Sequence, residues 1–325
     1  MDIVTTSSTL IPEISVIIPT YNRIKMLEEA LASLYAQEYD GTVEIIVIDD
    51  NSNDGTSQAI QQKYPDVHLI ALTENNGAYN ARNQGILVSK GEFIAFLDSD
   101  DLWEPHHLQS QMTLLKRESV AEHQVYFGIS DIFIWETPTN NKYKKSQKPK
   151  SKYSSALHHL LSGGSFVSTP SAVVFPKYML DDVGLFDQSL RLAEDTDLYT
   201  RAILKGFQPA FTEQASAIRR KHDSGQAMTI KNIEPRIKNR LDALQKYYPI
   251  AKQTLGDVGQ RRIYSEIYSD FARYYYEDKS YGDWLKLLVI SARYSSPLFV
   301  LRDNWRYIND FFGRIISKVS FAGWF

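Results

Sequence analysis

The chain has 325 residues, of which 43% are hydrophobic and 23% charged, and its formal net charge is −3. Such values are ordinary for a soluble globular protein, and the weakly acidic balance argues against a DNA or RNA partner held by bulk electrostatics. The absence of cysteine excludes disulfides, thiolate zinc sites and cysteine nucleophiles.

The N-terminal residues 1–13 are expected to form a tail before the first strand. The first ten residues lack the basic and apolar regions of a signal peptide, and no stretch approaches eighteen uninterrupted apolar residues. Secretion and membrane spanning are therefore not expected. The cytoplasm is the expected location.

Four short apolar runs predict buried strands in the first hundred residues. The runs are residues 14–18, 43–48, 67–72 and 93–97. Helical spacing of apolar residues between them, as in Leu27, Leu31 and Leu34, predicts crossover helices. The alternation predicts an α/β fold with a Rossmann-like, mostly parallel sheet flanked by helices.

Polar side chains follow each of these four strands. They form the segments 19–23, 49–52, 75–77 and 98–101. Ligands of such sheets bind beyond the carboxyl ends of the strands, so four polar ends on one rim predict a binding site. Any one of these segments taken alone is more typical of turn chemistry.

The fourth strand ends in Asp98, Asp100 and Asp101, three carboxylates that repel one another. A divalent cation would offset this repulsion, and Mg or Mn prefers such oxygen ligands. The alternative is that Asp100 or Asp101 caps a helix after Pro105 and that the other acids are solvated.

The following segments predict a β-arm and two further helices. Residues 126–135 alternate loosely, and residues 140–152, with six lysines, are expected to break the strand and form a mobile loop. This loop is either a solvated surface or a contact for an anionic ligand. Residues 165–175 predict a strand, residues 176–184 a short helix, and residues 193–205 a helix that Gly206 ends.

Two titratable residues in this part are candidates for chemistry. Asp195 precedes Leu198 by three positions, which predicts an inward carboxylate at a helix start. It either serves as a general base or stabilises the first helical turn. His222, which follows three basic residues, either approaches a diphosphate and its metal or lies on an exposed basic edge.

Residues 232–325 are rich in aromatic residues and predict a C-terminal helical region without further strands. Between Trp284 and Phe325, apolar and aromatic residues alternate with lysines and arginines on amphipathic helices. These helices either pack their apolar faces on the protein or contact a membrane surface peripherally.

Five segments together resemble the family 2 glycosyltransferases, whose fold type is called GT-A. They are ISVIIPTYN at 14–22, IIVIDDNSNDG at 45–55, NGAYNARNQG at 76–85, FIAFLDSDD at 93–101 and the pair Glu194-Asp195. The resemblance covers residues 14–225. It implies a nucleotide-sugar-binding half at 14–104 and an acceptor-binding, catalytic half at 105–231, followed by the helical region at 232–325.

The resemblance also implies contacts for a nucleotide-sugar donor. The residues that would bind the nucleotide are Thr20, Tyr21, Arg23, Asp49, Asp50, Asn76, Gly77 and Asp98. Among them, Asp50 would accept from the base or ribose, Asp49 would support the turn, and Gly77 would let the backbone approach the ligand.

The same resemblance implies the metal ligands and the base. The metal, Mn or Mg, would be held by Asp98, Asp100, Asp101 and His222. Asp195 matches the family's catalytic base. Glu194, Ser168 and Thr169 would lie beside the acceptor or support the base.

The implied activity is metal-dependent, inverting transfer of a single sugar from a UDP-linked donor to a hydroxyl of a saccharide or lipid-linked acceptor, in polysaccharide or glycoconjugate biosynthesis. The Gln-x-x-Arg-Trp signature of processive synthases is absent. Two alternatives are a non-catalytic nucleotide-sugar-binding homologue and a sugar-nucleotide pyrophosphorylase, although the glycine-rich loop of the latter is missing after the first strand. A dehydrogenase would need Gly-x-Gly-x-x-Gly there, which is also missing.

Overall fold

The computed structural model of the protein describes residues 12–122, 125–190, 194–221 and 233–322. The chain forms two compact units, one of Met1–Lys148 with Phe166–Gly225 and one of Pro149–Ser165 with Gln226–Phe325. None of the described helices is long and apolar enough to cross a membrane.

The elements follow one another in a βα pattern and then in a helical array. The first half contains β1 (Ile14–Thr20), α1 (Ile24–Tyr35), β2 (Val43–Asp49), α2 (Thr56–Lys63), β3 (His68–Ala71), α3 (Ala78–Val88), β4 (Phe93–Phe96), β5 (Leu102–Trp103) and α4 (His107–Glu122). The middle contains β6 (Tyr126–Glu136), β7 (Asn141–Lys145), α5 (Ala156–Ser162), β8 (Val173–Pro176), α6 (Lys177–Val183), α7 (Glu194–Leu204) and β9 (Gln208–Lys221). The C-terminal region contains α8 (Ile233–Leu255), α9 (Gln260–Glu277), α10 (Tyr281–Tyr294) and α11 (Pro297–Ala322).

The strands form one sheet in the order β3-β2-β1-β4-β8-β6-β9-β5, with β7 paired to β6. Strands β1 to β4 are parallel, as their sequence predicts. Beyond them the sheet is mixed, because β8 runs antiparallel to both β4 and β6. The predicted α/β fold with a helical C-terminal region is therefore confirmed. The second half of the sheet is mixed, and its parallel pair is β6 with β9.

Two local predictions in the middle of the chain are wrong, and one strand was missed. The lysine-rich segment does not simply break the strand, because Asn141–Lys145 pairs with β6 as strand β7. The missed strand is the long β9, in which eight of 14 residues are polar or charged. Of residues 165–175, only the end is extended, since a 3₁₀ turn at Pro170–Ala172 precedes β8.

The segment 149–165 belongs to the second unit through buried polar contacts with α9. Asp270 accepts hydrogen bonds from the Lys152 ammonium at 2.6 Å and the Tyr153 hydroxyl at 2.7 Å. His158 Nε2 lies 2.6 Å from Glu266 Oε2, and both side chains are buried. Buried polar groups must be paired in this way, so these contacts determine where the segment packs.

Buried His107, at the start of α4, predicts a pH dependence of stability. Burial lowers the pKa of His107 to about 3, with a further lowering from His106. In the unfolded chain this histidine has a pKa of about 6.5 and binds a proton below that pH, whereas the buried side chain does not. The free energy of unfolding should therefore fall by about 1.4 kcal/mol for each pH unit below this value.

This dependence can be measured by urea unfolding at about pH 7 and about pH 5. His107→Gln should reduce the loss of stability between the two conditions by about 2 kcal/mol. His68→Gln is the matched control, because His68 is exposed. An unchanged pH slope in His107→Gln would contradict the prediction.

Candidate active site

A hollow of about 240 Å³ lies beyond the carboxyl ends of β1, β2 and β4, on the rim where the sequence predicts a site. It is lined by Pro19, Thr20, Tyr21, Arg23, Asp50, Ala78, Arg82, Asp98, Ser99 and Asp100. The Thr20 hydroxyl is buried and has no hydrogen-bond partner among the described residues. A ligand in this first hollow could complete its hydrogen bonding.

Asp50 connects the end of β2 to the start of α3. Its Oδ1 accepts from the Asn76 backbone N–H at 3.1 Å and its Oδ2 from the Gly77 N–H at 2.8 Å. Gly77 has a φ of 89°, which glycine adopts without strain. The carboxylate therefore fixes the turn that carries two of the predicted nucleotide contacts.

Asp49 lies under this rim and is buried. Its Oδ1 accepts from the Ser52 N–H at 2.9 Å, and its Oδ2 accepts from the Ser57 hydroxyl. Both oxygens are thus engaged within the loop after β2, and Asp49 does not line the first hollow. This geometry agrees with the expectation that Asp49 supports the turn after β2.

Two arginines pair with the acids after β4. The Arg82 guanidinium pairs with Asp98, and that of Arg23 pairs with Asp100. Arg82 is almost fully buried, whereas the side chains of Asp98 and Asp100 are 22% and 25% exposed. The mutual repulsion of these carboxylates is therefore offset within the chain and does not by itself require a metal.

Asp101 is buried and does not line the first hollow. Its Oδ2 accepts from the hydroxyls of Thr169 at 2.6 Å and Ser171 at 2.8 Å, and its Oδ1 from the Arg220 N–H at 3.2 Å. Burial raises the pKa of Asp101 to about 7, and the charges of Asp98 and Asp100 add to the rise. These contacts suit a residue that positions the acidic loop.

The residues present fit a divalent cation only in part. Asp98 and Asp100 offer carboxylate oxygens at the first hollow, which is the ligand type that Mg and Mn prefer. No cluster of three or more potential ligands forms in the described part of the chain, and His222 lies outside it. An ion here would need further oxygens, such as those of a diphosphate.

A second hollow of about 480 Å³ connects the α3 turn with the start of α7. It is lined by Asn75, Asn76, Gly77, Tyr79, Asn80, Gln188 and Glu194. Asn83 anchors this region, because its side-chain amide makes two hydrogen bonds with the backbone of Phe186, at 2.9 and 3.0 Å. The predicted contacts Asn76, Gly77 and Glu194 therefore lie around one space.

The acids of α7 have different surroundings. Asp197 is buried and pairs with Arg201 Nε at 2.7 Å. Arg201 also donates to the carbonyls of Gly184 and Leu185, so Asp197 stabilises the preceding loop. Asp195 is only partly buried and forms no ion pair with any described residue; its Oδ1 accepts from the Thr196 N–H at 2.7 Å.

Tyr79 links Asp195 to the acidic loop. Burial raises the pKa of the Tyr79 hydroxyl, and the charge of Asp195 raises it further, whereas Arg82 opposes the rise. The Arg82 guanidinium lies 4.9 Å from the centre of the Tyr79 ring. Asp195 and Asp98 therefore lie in one electrostatic environment around Arg82.

The remaining predicted residues lie nearby with different contacts. Thr169 supports Asp101, as described above, whereas the Ser168 N–H donates to Gln147 Oε1 at 2.5 Å.

Arg82, Tyr79 and Ser171 are not among the site residues predicted from the sequence. Arg82 could have been found, because it lies four positions before Ile86 and so places a charge on the buried face of α3.

Comparison with known proteins gives the following matches. The family model for glycosyl transferase family 2 matches residues 15–184. An uncharacterised glycosyltransferase of Rickettsia typhi is 30% identical over 69% of this chain and 69% of its own length. The succinoglycan biosynthesis protein ExoO of Rhizobium meliloti is 30% identical over 64% of this chain and 60% of its own. Across five Rickettsia relatives, the matched part is 27% to 69% of their length.

Solved structures show the same fold. S. aureus TarS 1–349 in complex with UDP-GlcNAc superposes with a TM-score of 0.57 at 20% identity, over 87% of this chain and 81% of that one. The mannosyltransferase PcManGT of Pyrobaculum calidifontis, in complex with GDP-Man and Mn²⁺, gives a TM-score of 0.58 at 20% identity, over 89% and 77% of the chains.

Proposed function

This chain belongs to glycosyltransferase family 2 and has the GT-A fold, and we propose that it moves a single sugar from a UDP-linked donor to a hydroxyl acceptor with inversion. The observation that supports the proposal most is that the acidic loop lines the same hollow as Thr20, whose hydroxyl has no partner among the described residues. Asp195 on α7 and Asp98 of this loop both raise the pKa of Tyr79, so both lie near it. ExoO, a relative named for succinoglycan biosynthesis, supports polysaccharide or glycoconjugate synthesis as the process.

The proposed donor site is the first hollow together with the α3 turn. Thr20, Tyr21 and Arg23 would line the nucleotide, and Asp50 would hold the turn that approaches it. Asp98 and Asp100 would hold Mg or Mn, with Asp101 and His222 as the further predicted ligands. A bound divalent cation would offset the charge of the diphosphate.

The proposed reaction is one displacement at the anomeric carbon. The acceptor oxygen bonds to that carbon, the bond from carbon to the diphosphate oxygen breaks, and the nucleoside diphosphate leaves with the electron pair. The acceptor's hydroxyl proton passes to the Asp195 carboxylate, the acid of α7 that forms no ion pair with any described residue. A single displacement inverts the anomeric configuration.

A thermal-shift screen tests the donor assignment. UDP and UDP-sugars with Mn should raise the melting temperature more than GDP, ADP or CDP, because a ligand stabilises the fold in proportion to its occupancy. NMR of the product from an accepted sugar would then give the anomeric configuration. The absence of a shift with every nucleotide, or retention of configuration, would contradict the proposal.

We also propose that α10 and α11 contact an anionic lipid surface, as a lipid-linked acceptor would require. One face of α11 packs within the second unit, where the Asn304 amide donates to Ser269. Another face stays exposed, with Leu298 77% and Trp305 63% accessible. An apolar groove of about 280 Å³ between the two helices has no charged residue in its lining.

The net positive charge of these helices favours an anionic lipid. Residues 281–322 contain six lysines or arginines and three aspartates, a net charge of +3 in a chain whose total is −3. Exposed aromatic and apolar side chains beside basic residues are typical of helices that bind in a membrane interface.

Co-sedimentation with vesicles tests this contact. The protein should bind vesicles that contain phosphatidylglycerol more than vesicles of phosphatidylcholine alone, and Leu298→Ser with Trp305→Ser should reduce binding. Leu87→Ser is the control, because Leu87 is 64% exposed on α3. If the double variant instead converts a dimer to a monomer in light scattering, the face binds a second copy and the proposal is wrong.

A further inference from the structure

Three cationic side chains share one side of the sheet next to the acidic loop. On β6, Ile132 is paired with Lys145 of β7, while Ile134 and Glu136 are paired with Arg219 and Lys221 of β9. Directly paired residues project to the same side of a sheet, and so do alternate residues of one strand. Lys145, Arg219 and Lys221 therefore form one basic surface.

Charge on this basic surface is poorly balanced. Lys221 Nζ lies 3.1 Å from Glu136 Oε1 and 3.2 Å from the Tyr143 hydroxyl. Neither Lys145 nor Arg219 forms an ion pair with a described residue. Among the described residues, these three cations therefore have one carboxylate partner, Glu136.

The opposite side of the same strand pair differs. Lys144 Nζ lies 3.2 Å from Asp131 Oδ2, and Lys142 Nζ lies 2.8 Å from Glu104 Oε1. Lys142 and Lys144 on one side of β7 thus have acid partners, whereas Lys145 on the other side has none among the described residues. A general excess of lysine in the segment does not account for this difference.

The imbalance has an unfavourable effect on the free protein. Desolvation lowers the pKa of the Lys145 ammonium, and the charges of Arg219 and Lys221 lower it further. Like charges held together in this way destabilise the folded state. An anion bound between them would offset the repulsion. Groups that lower the stability of the free protein in this way are common at binding sites.

The basic surface is connected to the proposed donor site through one residue. The Arg220 N–H donates to Asp101 at 3.2 Å, and the Arg220 side chain pairs with Glu29. Residues alternate along a strand, so Arg219 and Lys221 point to the side that Arg220 does not. An anion on the basic surface thus lies beside the strand that supports the acidic loop.

We propose that Lys145, Arg219 and Lys221 bind an anionic group of the acceptor, a phosphate diester or a carboxylate carried by the growing saccharide. The guanidinium of Arg219 can bind either group through two hydrogen bonds, and the two lysines add point charges. This inference rests on the proposed transferase function and specifies the chemistry of its acceptor.

Binding measurements on the full chain test the inference without the transfer reaction. Inorganic tripolyphosphate and oligogalacturonate are the anionic probes, and maltoheptaose is the neutral one. The double variant Lys145→Gln with Arg219→Gln should weaken binding of at least one anionic probe about tenfold or more, because two charge-assisted contacts are lost. Lys142→Gln with Lys144→Gln removes the same charge and should change binding less than about twofold.

Stability gives a second, independent readout. Without an anion, Lys145→Gln should raise the melting temperature, because repulsion is relieved, whereas Lys144→Gln should lower it, because the contact with Asp131 is lost. Stronger binding of tripolyphosphate indicates a phosphate acceptor, and stronger binding of oligogalacturonate indicates a uronate.

Several results would overturn the inference. If both double variants lose anion binding equally, the binding depends on the overall charge of the segment and not on this surface. If maltoheptaose binds as strongly as the anionic probes, the acceptor is not recognised through an anionic group. Single-stranded DNA binding with the same dependence on Lys145 would assign the surface to nucleic acid. UDP with Mn should bind all these variants equally, so a failure here is distinguishable from a failure of the donor site.

Discussion

Replacing Asp195 with asparagine is expected to lower the rate of sugar transfer by about 10²- to 10⁴-fold while UDP binding is retained. Asparagine keeps the size of the side chain and cannot accept the proton of the attacking hydroxyl. Asp195 is partly buried at the start of α7 and forms no ion pair with any described residue, so the substitution removes no charge partner. The kcat for transfer and the Kd for UDP with Mn are measured for Asp195→Asn and for the unmodified protein.

Two neighbouring acids provide the controls for this result. Asp182→Asn changes an exposed carboxylate near Lys205 and should leave both constants unchanged. Asp197→Asn should lower the melting temperature, because the buried contact with Arg201 is lost. Transfer at the unmodified rate by Asp195→Asn would exclude Asp195 as the base.

Asp100→Asn is expected to weaken UDP binding about 10- to 100-fold when Mn is present and to leave it nearly unchanged in EDTA. The reason is that asparagine supplies a neutral oxygen in place of a carboxylate at the proposed ion site. Isothermal titration with UDP under both conditions measures the difference. The variant also frees Arg23, so Arg23→Gln is needed to separate that effect.

The two conditions separate the interpretations of this second result. An equal loss of UDP affinity with Mn and in EDTA would mean that Asp100 contacts the nucleotide or maintains the loop, and metal binding by Asp100 would be disproved. Asp66→Asn is a suitable control, because Asp66 is exposed and its carboxylate accepts from the hydroxyl of the exposed Tyr35.

The first half of the fold could be predicted because its signals are local. Strands β1, β2 and β4 are short, largely buried apolar runs, and β1 and β2 are each followed directly by a helix. Strand β9 has no such run, because its stability comes from pairing with β6, about eighty positions earlier in the chain. Pairing at that separation leaves no periodic pattern in a single sequence.

The position of the candidate site on the sheet could be predicted for a similar reason. The acids and the Asp50 turn follow strand ends, so the sequence places them on one rim. The partners of those acids come from elsewhere: Arg82 from within α3, Ser171 from a 3₁₀ turn, and the Arg220 N–H from β9. Only the folded chain shows that Asp98 and Asp100 already have cations beside them.

The arginine pairs at the acidic loop have a consequence for the rate at which the donor associates. With Asp98 beside Arg82 and Asp100 beside Arg23, and with the pKa of Asp101 raised to about 7, the three acids present little net charge to solvent. An incoming diphosphate therefore meets little long-range repulsion, even before any ion arrives. Association should depend only weakly on ionic strength, and nucleotide and cation should be able to enter in either order.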